Sequence, residues 1–327
     1  MQILKEKSRA KSQITFDEDF NVPDAKPDAG RLIQNKGRII MDDVRLTDGK
    51  GILTGNLQVD ILYVGEERGI VSSLTAKLPF EETLNLKNII NGDKMCLKWE
   101  IEDLTIRLIH SRKLNIKALV TFCATVDETE QIRLPVSLDA EEVSVRKKTV
   151  RFLGLTVHKK DTLRIKDEYT IASNRPDIAS LIWYTMDVRG LDLKPEENVV
   201  KARGELSVFV LYGAEDTEAP VQWLEYSLPF SGEVECPDCT EELIPLIEAS
   251  VMHQSLEAKP DVDGEERILV SDVVLELDMK FSGKRNMISL PMCIHRSVNV
   301  FRKERMRYWN GFWYVIFPDA GSVTGSR

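Results

Sequence analysis

The sequence is poor in the patterns on which many enzymes and membrane proteins depend. Its 327 residues include only five cysteines and four histidines, too few and too scattered for a disulfide framework or a metal-ligand spacing. A membrane-spanning helix needs an uncharged apolar run of about 18 residues, and the sequence has none. It also has no glycine-rich phosphate loop. The charged N-terminus lacks the apolar run of a secretory signal. We therefore expect a cytoplasmic protein with free thiols at Cys96, Cys123, Cys236, Cys239 and Cys293.

The charge is mostly acidic and unevenly distributed. The formal net charge is −9 at neutral pH, yet basic residues are concentrated after residue 283. Nucleic-acid binding draws on clustered lysine and arginine, so we expect no nucleic-acid role for the rest of the chain. An apolar content of 43% with 30% charged residues is typical of an ordinary globular protein.

The chain is organised around a stretch that occurs twice. Gly-Asn-Leu-Gln-Val-Asp-Ile-Leu-Tyr at residues 55–63 recurs as Gly-Glu-Leu-Ser-Val-Phe-Val-Leu-Tyr at residues 204–212. In each copy the apolar residues fall on alternate positions, which places them on one face of a β-strand. We expect this face to be core and to contain Leu57, Val59, Ile61 and Tyr63 in the first copy, and Leu206, Val208, Val210 and Tyr212 in the second.

Other matching stretches supply the turns between strands. Asp48-Gly49 separates two strand-like runs as a hairpin turn does. The alternation of apolar residues slips at Asp103, which predicts a β-bulge. A proline followed by aspartate suits the first turn of a helix, and we predict one short helix in each copy, over residues 26–33 and 175–182.

Many short alternating strands separated by turn signals predict a mainly β fold. We expect two tandem homologous domains, each a β-sandwich or an open barrel with one short helix. The repeat places the first domain at residues 1–140 and the second at residues 141–283, with a strand from about residue 140 leading directly into the second domain. Residues 284–327 then form a basic, aromatic tail without a counterpart in the first copy.

Cysteine, histidine and carboxylate groups supply the candidate chemistry. Cys236-Pro-Asp-Cys239 lacks the second pair that a zinc site needs, and Pro245 interrupts the helix that a thioredoxin-like site needs. We interpret it as a turn that holds two thiols, in preference to a redox or metal site. We assign no catalytic, cofactor-binding or metal residues. We expect surface or packing roles for the histidines, namely His110, His158, His253 and His295. We expect the glutamate pairs to lie on the surface, namely Glu66, Glu67, Glu81, Glu82, Glu241 and Glu242.

Glycine, proline and aspartate recur at equivalent positions of the two copies. A glycine inside a strand marks a bulge or a close backbone approach, and Gly55 and Gly204 lie inside matching strands. We favour a role in fixing the fold over a role in binding for these glycines and for Pro27, Asp28, Pro176 and Asp177.

The tail has two interpretations. Basic residues beside tryptophan and phenylalanine suit a membrane surface or a nucleic acid. The abrupt change in composition instead favours a truncated or frame-shifted end. On this second interpretation, which we prefer, residues 286–327 are poorly ordered or loosely packed, and their deletion leaves domain stability nearly unchanged.

Several motifs in order resemble one known family. They are Phe-Asn-Val-Pro-Asp-Ala-Lys-Pro-Asp at residues 20–28, the repeated strand at 55–63, Leu-Pro-Phe at 78–80 and Ser-Arg-Lys-Leu-Asn-Ile-Lys at 111–117. Together they resemble the SPOCS domain of SipL-like spore coat morphogenetic proteins of endospore-forming Firmicutes. The second copy resembles it through residues 175–177, 204–212 and 228–230.

The resemblance implies a nonenzymatic scaffold without cofactors on the mother-cell side of the developing spore. It implies contact with the spore coat morphogenetic ATPase, and self-association is a further expectation. A LysM domain often follows in that family, whereas residues after 283 show no LysM-like pattern. A ligand-binding β module, for example one for cell-wall glycans, is the alternative function, with Phe209 and Trp223 as candidate contact residues. An enzyme dependent on Cys236 ranks third.

Overall fold

The computed structural model describes residues 2–67, 70–90, 93–131, 143–214, 220–295, 298–300, 305–309 and 312–316. Within these ranges the regular elements are all β-strands. The first repeat contains β1 (Gln2–Asn21), β2 (Ala29–Thr47), β3 (Lys50–Gly65), β4 (Val71–Asn85), β5 (Lys94–His110) and β6 (Lys113–Gln131). The second contains β7 (Val143–Thr170), β8 (Ile178–Glu196), β9 (Val199–Ala214), β10 (Val221–Glu235), β11 (Ile244–Pro260) and β12 (Glu266–His295).

The two repeats have the same antiparallel topology. In the first, β6 lies between β1 and β5, and β3 lies between β2 and β4. In the second, β12 lies between β7 and β11, and β9 lies between β8 and β10. Each repeat buries one hydrophobic core to which both of its sheets contribute. The predicted mainly β fold with two repeated domains is therefore confirmed.

The central strands β3 and β9 follow the predicted alternation. The side chains of Leu57, Val59, Ile61 and Tyr63 are fully buried, as are those of Leu206, Val208, Val210 and Tyr212. Burial of one such side chain contributes about 1.5–3 kcal/mol. These strands are therefore the centres of the two cores.

The predicted hairpin and bulge are also confirmed. Asp48 and Gly49 form a two-residue turn between β2 and β3, and Gly49 has a φ of 80°, which glycine adopts without steric cost. The strand register of β5 against β6 shifts between Ile101 and Asp103. Glu102 is thus the extra residue of a β-bulge.

The predicted short helices are wrong. Residues 26–28 have no regular secondary structure and β2 begins at Ala29, while β8 begins at Ile178 in the other repeat. The backbone amide of Ala29 donates to the carbonyl of Ser111 over 2.8 Å, and Ala29 is opposite Gly65 in the sheet. A helix over residues 26–33 would lose these bonds, so sheet pairing overrides the local helix signal.

Ion pairs connect the two repeats. The ammonium of Lys280 on β12 donates to a carboxylate oxygen of Asp127 on β6 over 3.0 Å, and Lys98 on β5 reaches Glu248 on β11 over 2.6 Å. The first pair is largely buried, with exposed side-chain fractions of 14% and 22%. In the second pair the side chains of Lys98 and Glu248 are exposed by 62% and 43%. Matching sheets of the two repeats therefore adjoin through charged contacts.

The basic C-terminal segment begins as a continuation of β12. The strand runs to His295 and pairs with β7 as far as Val143. Three short strands follow, β13 (Val298–Val300), β14 (Arg305–Trp309) and β15 (Phe312–Ile316). Residues 296, 297, 301–304, 310, 311 and 317–327 lie outside the described residues, and the poor order expected of residues 286–327 stays a prediction. No helix of the described residues could cross a bilayer.

Candidate functional site

A buried tyrosine and an arginine hold the loop between β1 and β2. The hydroxyl of Tyr63 donates to the carbonyl of Pro27 over 2.9 Å, and burial raises the pKa of this phenol. Arg112, in the β5–β6 turn, donates to the carbonyls of Val22 and Lys26 over 3.1 and 2.9 Å. It also pairs with Asp24 and Asp28. We call this arrangement the loop clamp.

The second repeat has its own loop clamp. Tyr212 donates to the carbonyl of Pro176 over 3.4 Å. Arg267 donates to the carbonyl of Ala172 over 3.4 Å and lies 2.6 Å from a carboxylate oxygen of Asp177. The paired prolines and aspartates therefore join a network that attaches this loop to the rest of the domain.

Sequence reasoning missed the two arginines of the clamps. The signal was present, because the alignment that matches Leu114 with Leu269 also matches Arg112 with Arg267. Nothing in the sequence, however, showed that a turn at one end of β6 meets the loop after β1. That proximity follows from the pairing of Asn21 with Lys113.

The two repeated glycines lie beneath phenylalanine rings. Gly55 is opposite Phe80 in the sheet, and Gly204 is opposite Phe230. A Cβ atom added at Gly204 would lie 2.7 Å from the Phe230 ring, closer than packed carbon atoms approach. In each repeat the glycine therefore makes room for the phenylalanine of the Leu-Pro-Phe motif.

Cys236 and Cys239 lie in a turn after β10, as predicted. Both side chains are fully buried in the second core and occupy the places that Leu86 and Ile89 fill in the first. Burial raises the pKa of the Cys236 thiol and raises that of Cys239 to about 11. Since the thiolate is the nucleophile and metal ligand, the neutral thiols act as apolar side chains in this turn at neutral pH.

The four histidines lie on four different strands, β5, β7, β11 and β12. His158 on β7 contacts Asp278 over 2.8 Å, and His110 accepts a hydrogen bond from the Arg112 amide over 3.3 Å. His253 is exposed on β11, and the side chain of His295 lies outside the described residues. Within those residues, no group of three or more histidine, cysteine or acidic side chains could hold a metal ion.

The glutamate pairs are mostly on the surface. Five of these six side chains are exposed. Glu82 is half-buried and accepts a hydrogen bond from the Ser12 hydroxyl over 2.6 Å. Their exposure is that of a solvated acidic surface.

Phe209 and Trp223 share the outer face of the β8–β9–β10 sheet. Their rings stack with centroids 6.3 Å apart and planes 24° apart, and 57% of Trp223 is exposed. Arg175 donates to the Trp223 carbonyl over 2.6 Å. The equivalent positions of the first repeat are Asp60 and Ser73, so this aromatic pair belongs to the second repeat alone.

Comparison with known proteins gives one match. The sequence model of the family described as SipL, SPOCS domain matches residues 28–109 and 177–259, which cover β2–β5 of the first repeat and the β8–β11 region of the second. No curated protein and no solved structure matches the chain. The family is associated with sporulation and is not known as a family of enzymes. With a glycine–phenylalanine contact inside each matched region, the chain belongs to the SipL, SPOCS-domain family.

Proposed function

We propose that the protein is a nonenzymatic scaffold in spore coat assembly, which acts by binding other proteins at the forespore surface in the mother cell. The observation that carries this proposal is that the family match falls separately on both repeats. The buried Cys236 and Cys239 thiols and the separated histidines agree with a role other than catalysis. Two similar domains in tandem offer two related surfaces to an assembly.

The proposed partner is the spore coat morphogenetic ATPase, as the family resemblance implies. A fluorescent fusion expressed during sporulation is expected to form a shell around the forespore and to become diffuse when the ATPase gene is deleted. Co-purification of the two proteins from sporulating cells tests the contact itself. A fusion that stays diffuse in wild-type cells, with no ATPase recovered, contradicts the proposal.

The aromatic pair favours glycan binding as a second candidate function. Stacked rings on a sheet face, of which one is largely exposed, can pack against the apolar faces of sugars. Titration with peptidoglycan fragments is expected to quench Trp223 fluorescence if this function is correct. Trp223→Ala should abolish the response, whereas Trp99→Ala, on a tryptophan of the first repeat that is 39% exposed, should retain it. No response in the wild-type protein excludes this function.

A further inference from the structure

Strand β11 forms one edge of its sheet and carries a long stretch that is both uncharged and exposed. Among the described residues it pairs only with β12. Residues 249–256 of β11 carry no charged side chain at neutral pH, and side chains 248–253 are all exposed. An uncharged, exposed edge is a template for another strand, which most proteins block with charge.

The first repeat shows what has changed. Its equivalent edge strand, β5, carries Glu100, Glu102 and Asp103 in the matching stretch. Both edges have a bulge at the same place, because β11 shifts register between Val251 and His253 and Met252 is its extra residue. The two edge strands thus share the position of the bulge but differ in the charge of their side chains.

The two bulge residues differ in their contacts. Glu102 accepts hydrogen bonds from Thr121 on β6 over 2.5 Å and from Gln13 on β1 over 3.1 Å, so its carboxylate lies over the face of the sheet. Met252 is 61% exposed, and Val251 beside it is 49% exposed. The β5 edge carries the exposed charges of Glu100 and Asp103, whereas the β11 edge presents apolar side chains beside unpaired backbone.

The flanking charges indicate which strand fits. Glu248 and Glu257 are the acidic residues at the two ends of the uncharged stretch. Antiparallel pairing of two copies along the whole stretch would place Glu248 opposite Glu257, and like charges directly opposite are unfavourable. Glu248 accepts a hydrogen bond from the ammonium of Lys98, on β5 of the other repeat, over 2.6 Å. A basic side chain therefore fits beside this carboxylate.

We infer that the β11 edge binds a partner protein by strand addition, and that the bound segment is extended, uncharged in its centre and flanked by lysine or arginine. Main-chain hydrogen bonds to the free edge supply affinity, and exposed side chains such as Met252 supply selectivity. This inference rests on the proposed scaffold function and names one of its docking surfaces.

The test uses the full chain and a synthetic peptide. The probe is fluorescein-labelled Lys-Thr-Val-Thr-Val-Thr-Val-Thr-Val-Lys, followed by fluorescence anisotropy. Saturable binding by the wild-type protein is expected, and an otherwise identical peptide flanked by glutamate should bind about fivefold to tenfold more weakly. A probe with alternate N-methylated residues should not bind, because it lacks the backbone donors.

Matched variants locate the site. Met252→Glu with His253→Asp gives β11 the residues that β5 carries at the same bulge, so the fold should tolerate them, and peptide affinity should fall about tenfold or more. Trp99→Ala on β5 is the control and should bind as the wild type does. Cooperative thermal unfolding at an unchanged temperature confirms folding of each variant.

Three results overturn the inference. They are failure of the wild-type protein to bind the probe, equal binding by the Met252→Glu, His253→Asp variant, and dimerisation in sedimentation experiments that this variant abolishes. The last result would assign the edge to a second copy. None of them depends on where the protein localises during sporulation, so failure here is distinguishable from failure of the scaffold proposal.

Discussion

Val59 and Val208 lie at the centres of the two cores, where both side chains are fully buried. Val59→Asp or Val208→Asp places a carboxylate there without a partner, and we expect each to destabilise its own domain by several kcal/mol, on the order of 3–5. Urea unfolding followed by circular dichroism measures this. Lys77→Asp and Ser227→Asp, at exposed positions of the neighbouring strands, should change stability little. Soluble, equally stable Val59→Asp protein would mean that the core face is misassigned.

Gly204 gives a second test at the residue scale. Gly204→Ala drives a Cβ atom into the Phe230 ring, and overpacking of this kind costs about 1–3 kcal/mol. Phe230→Leu should relieve part of that cost, so the double variant is expected to lose less stability than the two single variants together. Thermal unfolding of the four proteins measures the coupling, and strict additivity would contradict the contact.

The first repeat provides the control for Gly204. At Gly55 a new Cβ atom would also collide with the carbonyl oxygen of Ile40. No substitution removes this oxygen, because it belongs to the backbone. Phe80→Leu should therefore rescue Gly55→Ala poorly.

Residue-scale prediction from the sequence succeeded where the cause is local. Alternation of apolar residues follows from strand geometry alone, so the buried faces of β3 and β9 could be read directly. The roles of Arg112 and Arg267 could not, because their acceptors are carbonyls of a loop about 90 residues earlier in the chain. Which carbonyls meet which guanidinium depends on the order of strands in the sheets.

At the scale of elements, the loop clamp joins the β5–β6 turn to the β1–β2 loop. Arg112→Ala removes donors from the carbonyls of Val22 and Lys26, and we expect a loss of about 1–3 kcal/mol in the free energy of unfolding. Arg112→Lys should recover little, because an ammonium cannot span the positions that the guanidinium fork reaches. Chemical denaturation provides the measurement.

The control for the clamp is the next residue in the chain. Lys113 pairs with Asp19 at the surface, and such pairs contribute about 0–1 kcal/mol, so Lys113→Ala should be nearly neutral. Full stability of Arg112→Lys would show that charge alone, without the forked geometry, holds the loop.

Three ion pairs predict how the stability of the protein depends on pH. The Lys7 ammonium and the Ile90 amide lower the pKa of Asp93 below its ordinary value of 3.8. Lys159 and Arg164 similarly lower the pKa values of Asp161 and Asp272. Carboxyl groups with a lower pKa in the folded state bind fewer protons there, so their contribution is present above pH 3.8 and is lost as the pH falls through the folded pKa values.

Melting temperatures measured from about pH 7 down to about pH 2 should therefore fall steeply only below about pH 4. Asp93→Asn removes one of these titrations and should make the decline shallower. A decline that begins near pH 6 would instead indicate histidine as the controlling group.

The short helices illustrate what element-scale prediction lacks. Proline followed by aspartate is a sound local signal for a helix start, yet β2 and β8 begin directly after these residues. The competing terms are long-range: the Tyr63 hydroxyl fixes the Pro27 carbonyl, and pairing with β3 begins at Ala29. A local pattern cannot weigh contacts with residues that are distant in sequence.

At the scale of the whole molecule, the contact between the repeats includes one largely buried ion pair, Lys280 with Asp127. Burial lowers the pKa of Lys280, but the hydrogen bond from its ammonium to Asp127 and the nearby charges of Asp127 and Asp278 outweigh it, and the net shift is upward. A double-mutant cycle with Lys280→Ala and Asp127→Ala should give a coupling energy of about 1–3 kcal/mol. Urea unfolding of the full chain provides the values.

The exposed pair between the repeats is the internal comparison. A double-mutant cycle with Lys98→Ala and Glu248→Ala should give a coupling energy below about 1 kcal/mol, because solvent screens both charged groups. Equal coupling in the two cycles would show that burial does not distinguish the pairs.

The pairing of β7 with β12 also determines how the molecule responds to force. The chain enters β7 at Val143 and leaves β12 at His295, and these two residues are direct partners in the sheet. Tension applied between the first repeat and the end of β12 therefore pulls on the same end of both strands. The hydrogen bonds between β7 and β12 therefore break one residue pair at a time from that end. If the two strands were pulled from opposite ends, all of these bonds would instead be loaded together. Under load, an assembly attached at that end would lengthen gradually while the core around β9 stayed closed.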